Sequence, residues 1–421
     1  MKLDNGRSTK EQCVFTNIGE LFSLARAAKR EGRHILFDDL DLIRNAAFVT
    51  SQSKILWIGE KKKLPKEFSK IKKEVSFKGA SLLPGFVESH THLLFAGNRA
   101  QEFDWRNQGK SYQEIAKQGG GILSTLSQTR SAKPAELLKL GQKRLNEFVR
   151  QGVTTLEVKS GYAQNFEGEK KLLKVAGQLK NIRVLRTYLG AHALPPEFKT
   201  PEDYVENLIR NDLPKIKSQK LATRVDIFIE NGFFSKQVGQ KYLRAAKELG
   251  FELSIHAEQL TLSGGADLAL ELSALSADHL IQIGEKEIAK LARSNVTCTL
   301  LPASDLYMKC SYPPARALID AGARVALATD FNPGTCPTQD LSLVGVLARI
   351  EMKMSLAEVI SAYTIGGAFA LGLQDEMGSL EVGKSANFIV LNSNLDELFY
   401  QIGQSPVCET WFEAKKVFAF N

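Results

Sequence analysis

Only six of the 421 residues are histidines, and two of them, His90 and His92, are spaced for metal binding. They stand two residues apart at the end of an apolar segment that is predicted to be a β-strand. Because side chains alternate along a strand, both imidazoles point to the same side and can hold one metal ion. Alone, such a pair is also compatible with two polar residues at the mouth of a loop.

Three further residues with suitable side chains, His256, His279 and Asp330, each end a short apolar segment. If these segments are strands of one barrel, their carboxyl ends face a cavity shared with the first pair. His256 and Asp330 would then complete a ligand set that suits one Zn²⁺ or iron ion (Fe²⁺ or Fe³⁺) and leaves a position for water. A divalent ion lowers the pKa of such a water to about 7, and His279 is left as the base or proton shuttle.

Eight apolar segments alternate with amphipathic segments between Leu82 and Leu371, which predicts parallel strands joined by crossover helices. The predicted strands are Leu82–His90, Val153–Val158, Val184–Leu189, Val225–Ile229, Glu252–His256, Leu275–His279, Val296–Leu301 and Arg324–Thr329. The predicted helices include Pro134–Arg150, Glu169–Lys180, Lys236–Leu249, Glu285–Ala292, Pro314–Ala321 and Ala357–Leu371. Eight such units favour a (β/α)8 TIM barrel over an open doubly wound sheet.

The two ends of the chain differ from this pattern, because they contain short strand-like segments separated by turns. These segments are Ala46–Ile58, Val75–Leu83, Gly378–Leu391 and Thr410–Phe420. Since both ends share this character, the sequence predicts an α/β protein in which residues 1–82 and 375–421 form one small β-sandwich domain built from both termini. Residues 83–374 then form the barrel.

The composition is that of a soluble globular protein, with 43% hydrophobic and 24% charged residues. No apolar run reaches the roughly 18 residues of a membrane span, and Met1–Gly6 lacks the apolar stretch of a signal peptide, so a cytoplasmic protein is expected. Five cysteines without a C-x-x-C pair argue against a disulfide framework and against a cysteine-built zinc site.

The formal net charge of +8 favours an anionic partner. The densest lysine run, Lys61–Lys73, contains one aromatic residue, Phe68, and matches no nucleic-acid-binding motif. We therefore expect a solvated basic surface and a small anionic substrate, and neither a nucleic acid nor a membrane as partner. The competing nucleic-acid interpretation predicts an affinity that depends steeply on salt.

Several longer motifs surround the candidate ligands. They are Pro84–His92, His90–Arg99, Gly119–Ile122, Glu157–Tyr162, Leu189–Ala193, Ser276–Leu280, Thr329–Gly334 and Gly378–Asn387. On this ordered set the chain resembles the amidohydrolase superfamily and, within it, the imidazolonepropionase family, over nearly its whole length from Val14.

The resemblance implies hydrolysis of the ring C–N bond of 4-imidazolone-5-propanoate to N-formimidoyl-L-glutamate, in histidine degradation. It implies the metal ligands His90, His92, His256 and Asp330 and the catalytic residues His279 and Asp330. It implies the substrate-binding residues Arg99, Tyr162, His192, Gln259, Asn332, Gly334 and Thr335. The planar guanidinium of Arg99 suits the propionate of such a substrate. The resemblance is also compatible with a homodimer.

Gln259 departs from the pattern of many relatives, which carry an acidic residue three positions after the histidine that corresponds to His256. An amide can orient a substrate but cannot accept a proton as a carboxylate does. This leaves His279 and Asp330 as the proton-handling pair. The neighbouring Glu258 is expected to face away from the site.

Lys159 invites comparison with the carboxylated lysine that bridges two metal ions in other amidohydrolases. Here the lysine ends the second predicted strand, whereas the bridging lysine belongs to the fourth, whose end in this chain is Ile229–Glu230. A single metal ion is therefore expected. His34 lies upstream of the barrel and has no predicted role.

Other interpretations stay open on the residues themselves. A deaminase of aminated rings or another cyclic-amide hydrolase would use the same metal site, since a fold does not determine a function. A non-catalytic binding protein would use a degenerate barrel. Taken singly, Arg99 could form a surface ion pair, Tyr162 could be a rim aromatic, and Gly119–Gly121 could be a plain turn rather than a substrate loop.

Overall fold

The computed structural model describes residues 11–110, 114 and 122–420, so the Gly119–Gly121 motif lies outside the described residues. The first strands are β1 (Gln12–Phe22), β2 (Leu42–Ser51), β3 (Lys54–Glu60), β4 (Glu74–Ser76) and β5 (Ser81–Pro84). The barrel strands are β6 (Phe86–Glu88), β7 (Val153–Lys159), β8 (Arg183–Ala191), β9 (Arg224–Ile229), β10 (Glu252–Ala257), β11 (Ser276–His279), β12 (Thr297–Leu300) and β13 (Val325–Leu327). The last strands are β14 (Phe388–Leu391), β15 (Val407–Phe412) and β16 (Lys415–Ala419).

Strands β6 to β13 form one parallel sheet in chain order. Backbone contacts just beyond its first and last strands close the ring, since Asp330 N donates to His90 O at 3.1 Å and His92 N donates to Phe331 O at 2.9 Å. Thr91 and Phe331 also form a parallel bridge. The predicted (β/α)8 barrel is confirmed, and its closure sets the candidate ligands of the first and eighth units side by side.

Helices follow the barrel strands. Those in the described ranges are Ala25–Lys29, Ala100–Asn107, Ile122–Ser131, Pro134–Arg150, Phe166–Ala176, Pro201–Asn207, Leu213–Ser218, Lys236–Glu248, Gly265–Leu272, Glu285–Ala292, Pro302–Met308, Ala315–Ala321, Leu341–Ile350, Leu356–Ser361 and Gly367–Ala370. The predicted helix Ala357–Leu371 is wrong in one respect, because a π-helical turn, Ala362–Gly366, interrupts it. There the chain packs so closely on the barrel that a Cβ at Gly366 would lie 2.1 Å from Val325 O. Over the described part of the chain, no helix is both long and apolar enough to cross a membrane.

The strands from both chain ends join in one sheet of order β16-β15-β14-β5-β1-β2-β3, with β4 beside β1. The C-terminal strand β14 pairs antiparallel with the N-terminal strand β5. Aromatic rings fill the core of this sheet, where Phe15 stacks on Phe48 at 4.5 Å and Phe388 stacks on Trp411 at 5.3 Å between ring centres. The predicted β domain built from both termini is confirmed, while its limits at residues 82 and 375 stay a prediction.

The predicted strand Leu82–His90 is wrong as a single element, because it is two strands that belong to different sheets. The change occurs at Gly85, whose N–H donates to Asn387 O in the terminal sheet, while Phe86 N donates to Gly152 O at the barrel. A Cβ at Gly85 would lie 2.3 Å from the Thr154 side chain, so only glycine fits this crossing.

Candidate metal centre and active-site cavity

Three buried imidazoles, His90, His92 and His256, converge at the carboxyl ends of β6 and β10, with ligand atoms within 4.8 Å of one another. His92 Nε2 lies 3.5 Å from His256 Nε2 and 3.5 Å from Asp330 Oδ1. His90 Nε2 also lies 3.5 Å from that carboxylate oxygen. A tetrahedral ion with bonds of about 2.1 Å holds its ligand atoms about 3.4 Å apart, so these spacings fit a divalent ion.

Two of the three imidazoles are neutral, as metal binding requires. Burial lowers the pKa of His90 and of His92 well below the usual value, so both rings are neutral. His90 Nδ1 lies 2.7 Å from Asp278 Oδ2, and His256 Nδ1 lies 3.1 Å from Asp226. A carboxylate accepts a hydrogen there, so Nε2 of a neutral ring keeps its lone pair for a metal ion. Against the lowering effect of burial, Asp226 raises the pKa of His256, so an ion that binds this ring displaces a proton from it. His90 Nε2 is buried and, within the described residues, has no hydrogen-bond partner.

Asp226 and Asp278 were not among the residues predicted from the sequence. Both stand inside predicted apolar strands, and a carboxylate in such a strand is the signal that could have found them, since a buried charge needs a partner. Lys159 lies between them at the end of β7, with Nζ 2.7 Å from Asp226 and 3.6 Å from Asp278. Its place on the second barrel strand is as predicted.

Asp330 and His279 lie beside the imidazole cluster and are both buried. Burial raises the pKa of Asp330 to about 6, against the opposing effect of His256. Burial lowers the pKa of His279 to about 3, with a further contribution from His256. The ring of His279 lies 5.4 Å from that of His256, centre to centre. A neutral imidazole in this position can accept a proton.

His192 and Tyr162 form the next layer of the site. His192 stacks on His92, with ring centres 5.1 Å apart, and Tyr162 meets both rings edge-on. His192 Nδ1 lies 3.1 Å from Gly161 O, and burial lowers the pKa of this histidine to about 4. Gly161 has φ +104°, and a Cβ there would lie 2.9 Å from Leu189 O, so the turn that carries Tyr162 requires glycine.

Arg99 lies at another side of the cavity. Its Nε donates to Glu102 at 2.9 Å, and its Nη2 bonds the second carboxylate oxygen. Arg106 Nη2 donates to Gly334 O at 3.1 Å. A Cβ at Gly334 would lie only 2.0 Å from Arg99 Nη1, so the missing side chain makes room for the guanidinium. Glu102 and Arg106 were missed, although their three- and seven-residue offsets from Arg99 would have placed them on one face of a helix.

Asn332 organises the loop that carries Gly334 and Thr335. Its Oδ1 accepts the N–H groups of Gly334 at 2.9 Å and of Thr335 at 2.7 Å. Its Nδ2 donates to Asp330 O at 2.7 Å. The loop is therefore held in shape by one amide, and substrate contacts by Asn332 and Thr335 stay a prediction.

Gln259 lines the cavity, where its Nε2 lies 3.4 Å from Met308 Sδ. Glu258 faces away from it, as predicted. Its carboxylate accepts Ser263 N at 2.6 Å and Ala266 N at 2.9 Å, at the start of the helix Gly265–Leu272. A helix start suits an anion, which explains why this residue serves the fold rather than the cavity.

Most of the predicted site residues surround one cavity of about 440 Å³. Every predicted site residue lines it except His90 and Gly334, which lie behind the lining. Phe228, Phe233 and Leu260 add an apolar wall that was not predicted. His34 is exposed and lies against Gly322, outside this cavity.

Comparison with known proteins identifies a family and several relatives of this chain. The model of the amidohydrolase family matches residues 81–417. An imidazolonepropionase of Bdellovibrio bacteriovorus is 58% identical over 407 residues, which is 96% of each chain, and one of Fusobacterium nucleatum is 38% identical over 96% of this chain and 98% of its own.

Solved structures agree on the fold. A zinc-bound adenosine deaminase from Xanthomonas campestris superposes with a TM-score of 0.67 at 20% identity, over 97% of this chain and 93% of its own. The ochratoxinase of A. niger superposes with a TM-score of 0.69 at 17% identity, over 98% and 96%. The match to the family model and the identity to these relatives show that the chain belongs to the amidohydrolase family and, within it, to the imidazolonepropionases.

Proposed function

We propose that this chain hydrolyses the ring C–N bond of 4-imidazolone-5-propanoate to N-formimidoyl-L-glutamate, using one divalent ion held by His90, His92, His256 and Asp330. The single observation that carries the proposal is the convergence of three buried imidazoles and one carboxylate on a cavity that Arg99 also lines. The cavity volume of about 440 Å³ suits a small molecule. The choice of substrate is supported by the fact that this chain belongs to the imidazolonepropionases.

Arg99 would bind the propionate of the substrate. Its guanidinium is held by Glu102, which presets the orientation of the planar fork before the substrate arrives. The apolar wall of Phe228 and Phe233 suits the methylene groups between the propionate and the ring. Tyr162 and His192, which both pack against His92, would hold the ring itself over the ligand cluster.

A divalent ion at these ligands supplies Lewis-acid activation of a water and of the ring carbonyl. The neutral imidazole of His279 takes a proton from the attacking water, helped by the carboxylate of Asp330. The water oxygen forms a bond to the carbonyl carbon, and the bond between that carbon and the ring nitrogen breaks. His279 then returns that proton to the departing nitrogen, which completes the N-formimidoyl group, and the second proton of the water is released when the new carboxylic acid ionises at neutral pH.

Both zinc and iron agree with three imidazole nitrogens and one carboxylate oxygen. We propose one ion per chain, because Lys159 lies on the second barrel strand and not at the end of β9, where a bridging lysine would stand. Elemental analysis of protein purified without chelators measures both the identity and the number of ions. Two ions per chain would contradict the proposal.

The direct test is to add the purified protein to 4-imidazolone-5-propanoate and follow the imidazolone absorbance. We expect the absorbance to fall, the fall to stop after dialysis against a chelator, and zinc or ferrous iron to restore it. No fall with a full complement of metal would overturn the substrate assignment. The alternative, a deaminase of aminated rings, would instead release ammonia from a panel of such rings.

A further inference from the structure

A cluster of buried charges surrounds Lys159, which the proposed reaction does not use. Its Nζ lies 2.7 Å from Asp226 Oδ2, 2.8 Å from Glu157 Oε2 and 3.6 Å from Asp278 Oδ2. The four side chains are at most 1% exposed. Three carboxylates therefore share one ammonium group in a region that water does not reach, and each is costly to bury without it.

Two of these carboxylates are the ones that hold the candidate metal ligands. The oxygen of Asp278 that faces Lys159 also contacts His90 Nδ1 at 2.7 Å. Asp226 accepts from Lys159 through Oδ2, and both of its oxygens lie 3.1 Å from His256 Nδ1. The ammonium is thus one carboxylate away from two of the three imidazoles.

Glu157, the third carboxylate, has a further cation near it. Its Oε1 lies 3.5 Å from Arg224 Nε, and the same oxygen accepts the hydroxyl of Thr187. Asp226 and Asp278 instead each contact Lys159 and one imidazole. If the ammonium group is removed, Glu157 still has Arg224 nearby, whereas the two aspartates lose the cation that they contact.

We propose that Lys159 is a positioning residue for the metal site: its ammonium group fixes the side chains of Asp226 and Asp278 in the orientation in which they contact Nδ1 of His256 and of His90, so that Nε2 of each ring faces the ion. The inference rests on the proposed metal site.

The first test uses the wild-type protein after removal of metal. Long-range ¹H–¹⁵N correlation spectra report which ring nitrogen of each histidine carries the hydrogen, and only six histidines contribute. We expect both His90 and His256 to carry it on Nδ1. A ring of either residue that carries no hydrogen on Nδ1 overturns the proposal, and this result does not depend on any variant being folded.

The second test compares Lys159→Met with Lys171→Met. Lys171 is a suitable control because it is partly buried and, within the described ranges, its Nζ donates to backbone carbonyls alone, those of Thr129, Arg130 and Ala132, at 2.8–2.9 Å. We expect K159M to bind zinc roughly 10- to 100-fold more weakly in competition with a chelator. K171M should bind zinc as the wild type does, and Lys159→Arg should recover part of the affinity because it keeps the charge.

Zinc affinity of folded K159M within threefold of the wild type would overturn the role of Lys159 while leaving the metal site intact. Equal losses in K159M and K171M would also overturn it, because a general loss of packing would then explain both. A wild-type protein that binds neither zinc nor ferrous iron would instead overturn the metal site itself. These outcomes separate failure of this inference from failure of the proposed function.

Discussion

One added methyl group at Gly334 should separate catalysis from stability. The Cβ of Gly334→Ala would lie 2.0 Å from Arg99 Nη1, 2.5 Å from Cζ and 3.1 Å from Nε. Ordinary contacts at such a carbon begin near 3.4 Å, so the guanidinium must move by roughly 1.4 Å. The movement also disturbs the two bonds from Arg99 to Glu102.

The substitution should lower the rate of the reaction and leave the stability of the fold nearly unchanged. A misplacement of about 1 Å can lower a rate by about 100-fold, equivalent to roughly 2.7 kcal/mol of transition-state stabilisation. The fold should tolerate the change, because the obstructing atoms belong to the end of a long side chain and Gly334 does not have a positive φ. A glycine-to-alanine change at a compatible backbone position adds about 0.4–1 kcal/mol of stability through the unfolded chain.

The assay is the initial rate of imidazolone absorbance loss, with thermal unfolding measured on the same samples. Gly177→Ala is a matched control, since its Cβ would lie 3.2 Å from Arg186 Nη1, its φ is −70°, and it lies outside the cavity. We expect kcat/KM to fall about 100-fold for G334A and to stay unchanged for G177A. A kcat/KM for G334A within threefold of the wild type would refute the reasoning.

Three further outcomes are expected. His279→Ala should keep its metal content by elemental analysis and lose about 100- to 10,000-fold in kcat, so a variant with full turnover would exclude the proton-transfer role. Arg99→Lys should raise KM, because an ammonium cannot bind a carboxylate through two parallel bonds; an unchanged KM would contradict propionate binding there. Burial raises the pKa of Asp305 from its usual 3.8 to about 8, and both of its oxygens are without a hydrogen-bond partner in the described ranges. The folded protein therefore retains a proton that the unfolded chain releases, and stability falls as pH rises from about 4 to about 8. In metal-free protein, Asp305→Asn should raise the free energy of unfolding at pH 8 by an amount on the order of several kcal/mol, and by little at pH 4, which urea denaturation at both pH values would check.

Local sequence rules predicted what depends on local geometry. Pro134–Arg150 has the predicted helix limits, because proline suits the first turn and the apolar residues recur at helical intervals. His90 and His92 face one side because alternation along an extended chain does not depend on the rest of the fold. Each of the eight predicted barrel segments overlaps an observed strand for the same reason.

These local rules could not predict features that depend on contacts between segments distant in the sequence. The segment Leu82–His90 has one continuous apolar pattern, yet its hydrogen bonds go to two sheets, and only the positions of Asn387 and Gly152 reveal the change. The π-helical turn Ala362–Gly366 likewise occurs where the chain lies against β13, far away in sequence. Periodicity cannot predict either feature, since it contains no information about the partner.

The sequence by itself determined the barrel and the residues able to bind a metal ion, because strand order in a barrel brings every strand end to one face. Only the tertiary structure decided how those residues are held. Asp226 and Asp278 became partners of His256 and His90, with Lys159 between them, through side chains that meet inside the barrel. Such charges are tolerated only when each finds its counter-charge in three dimensions, and that pairing is a property of packing and not of spacing along the chain.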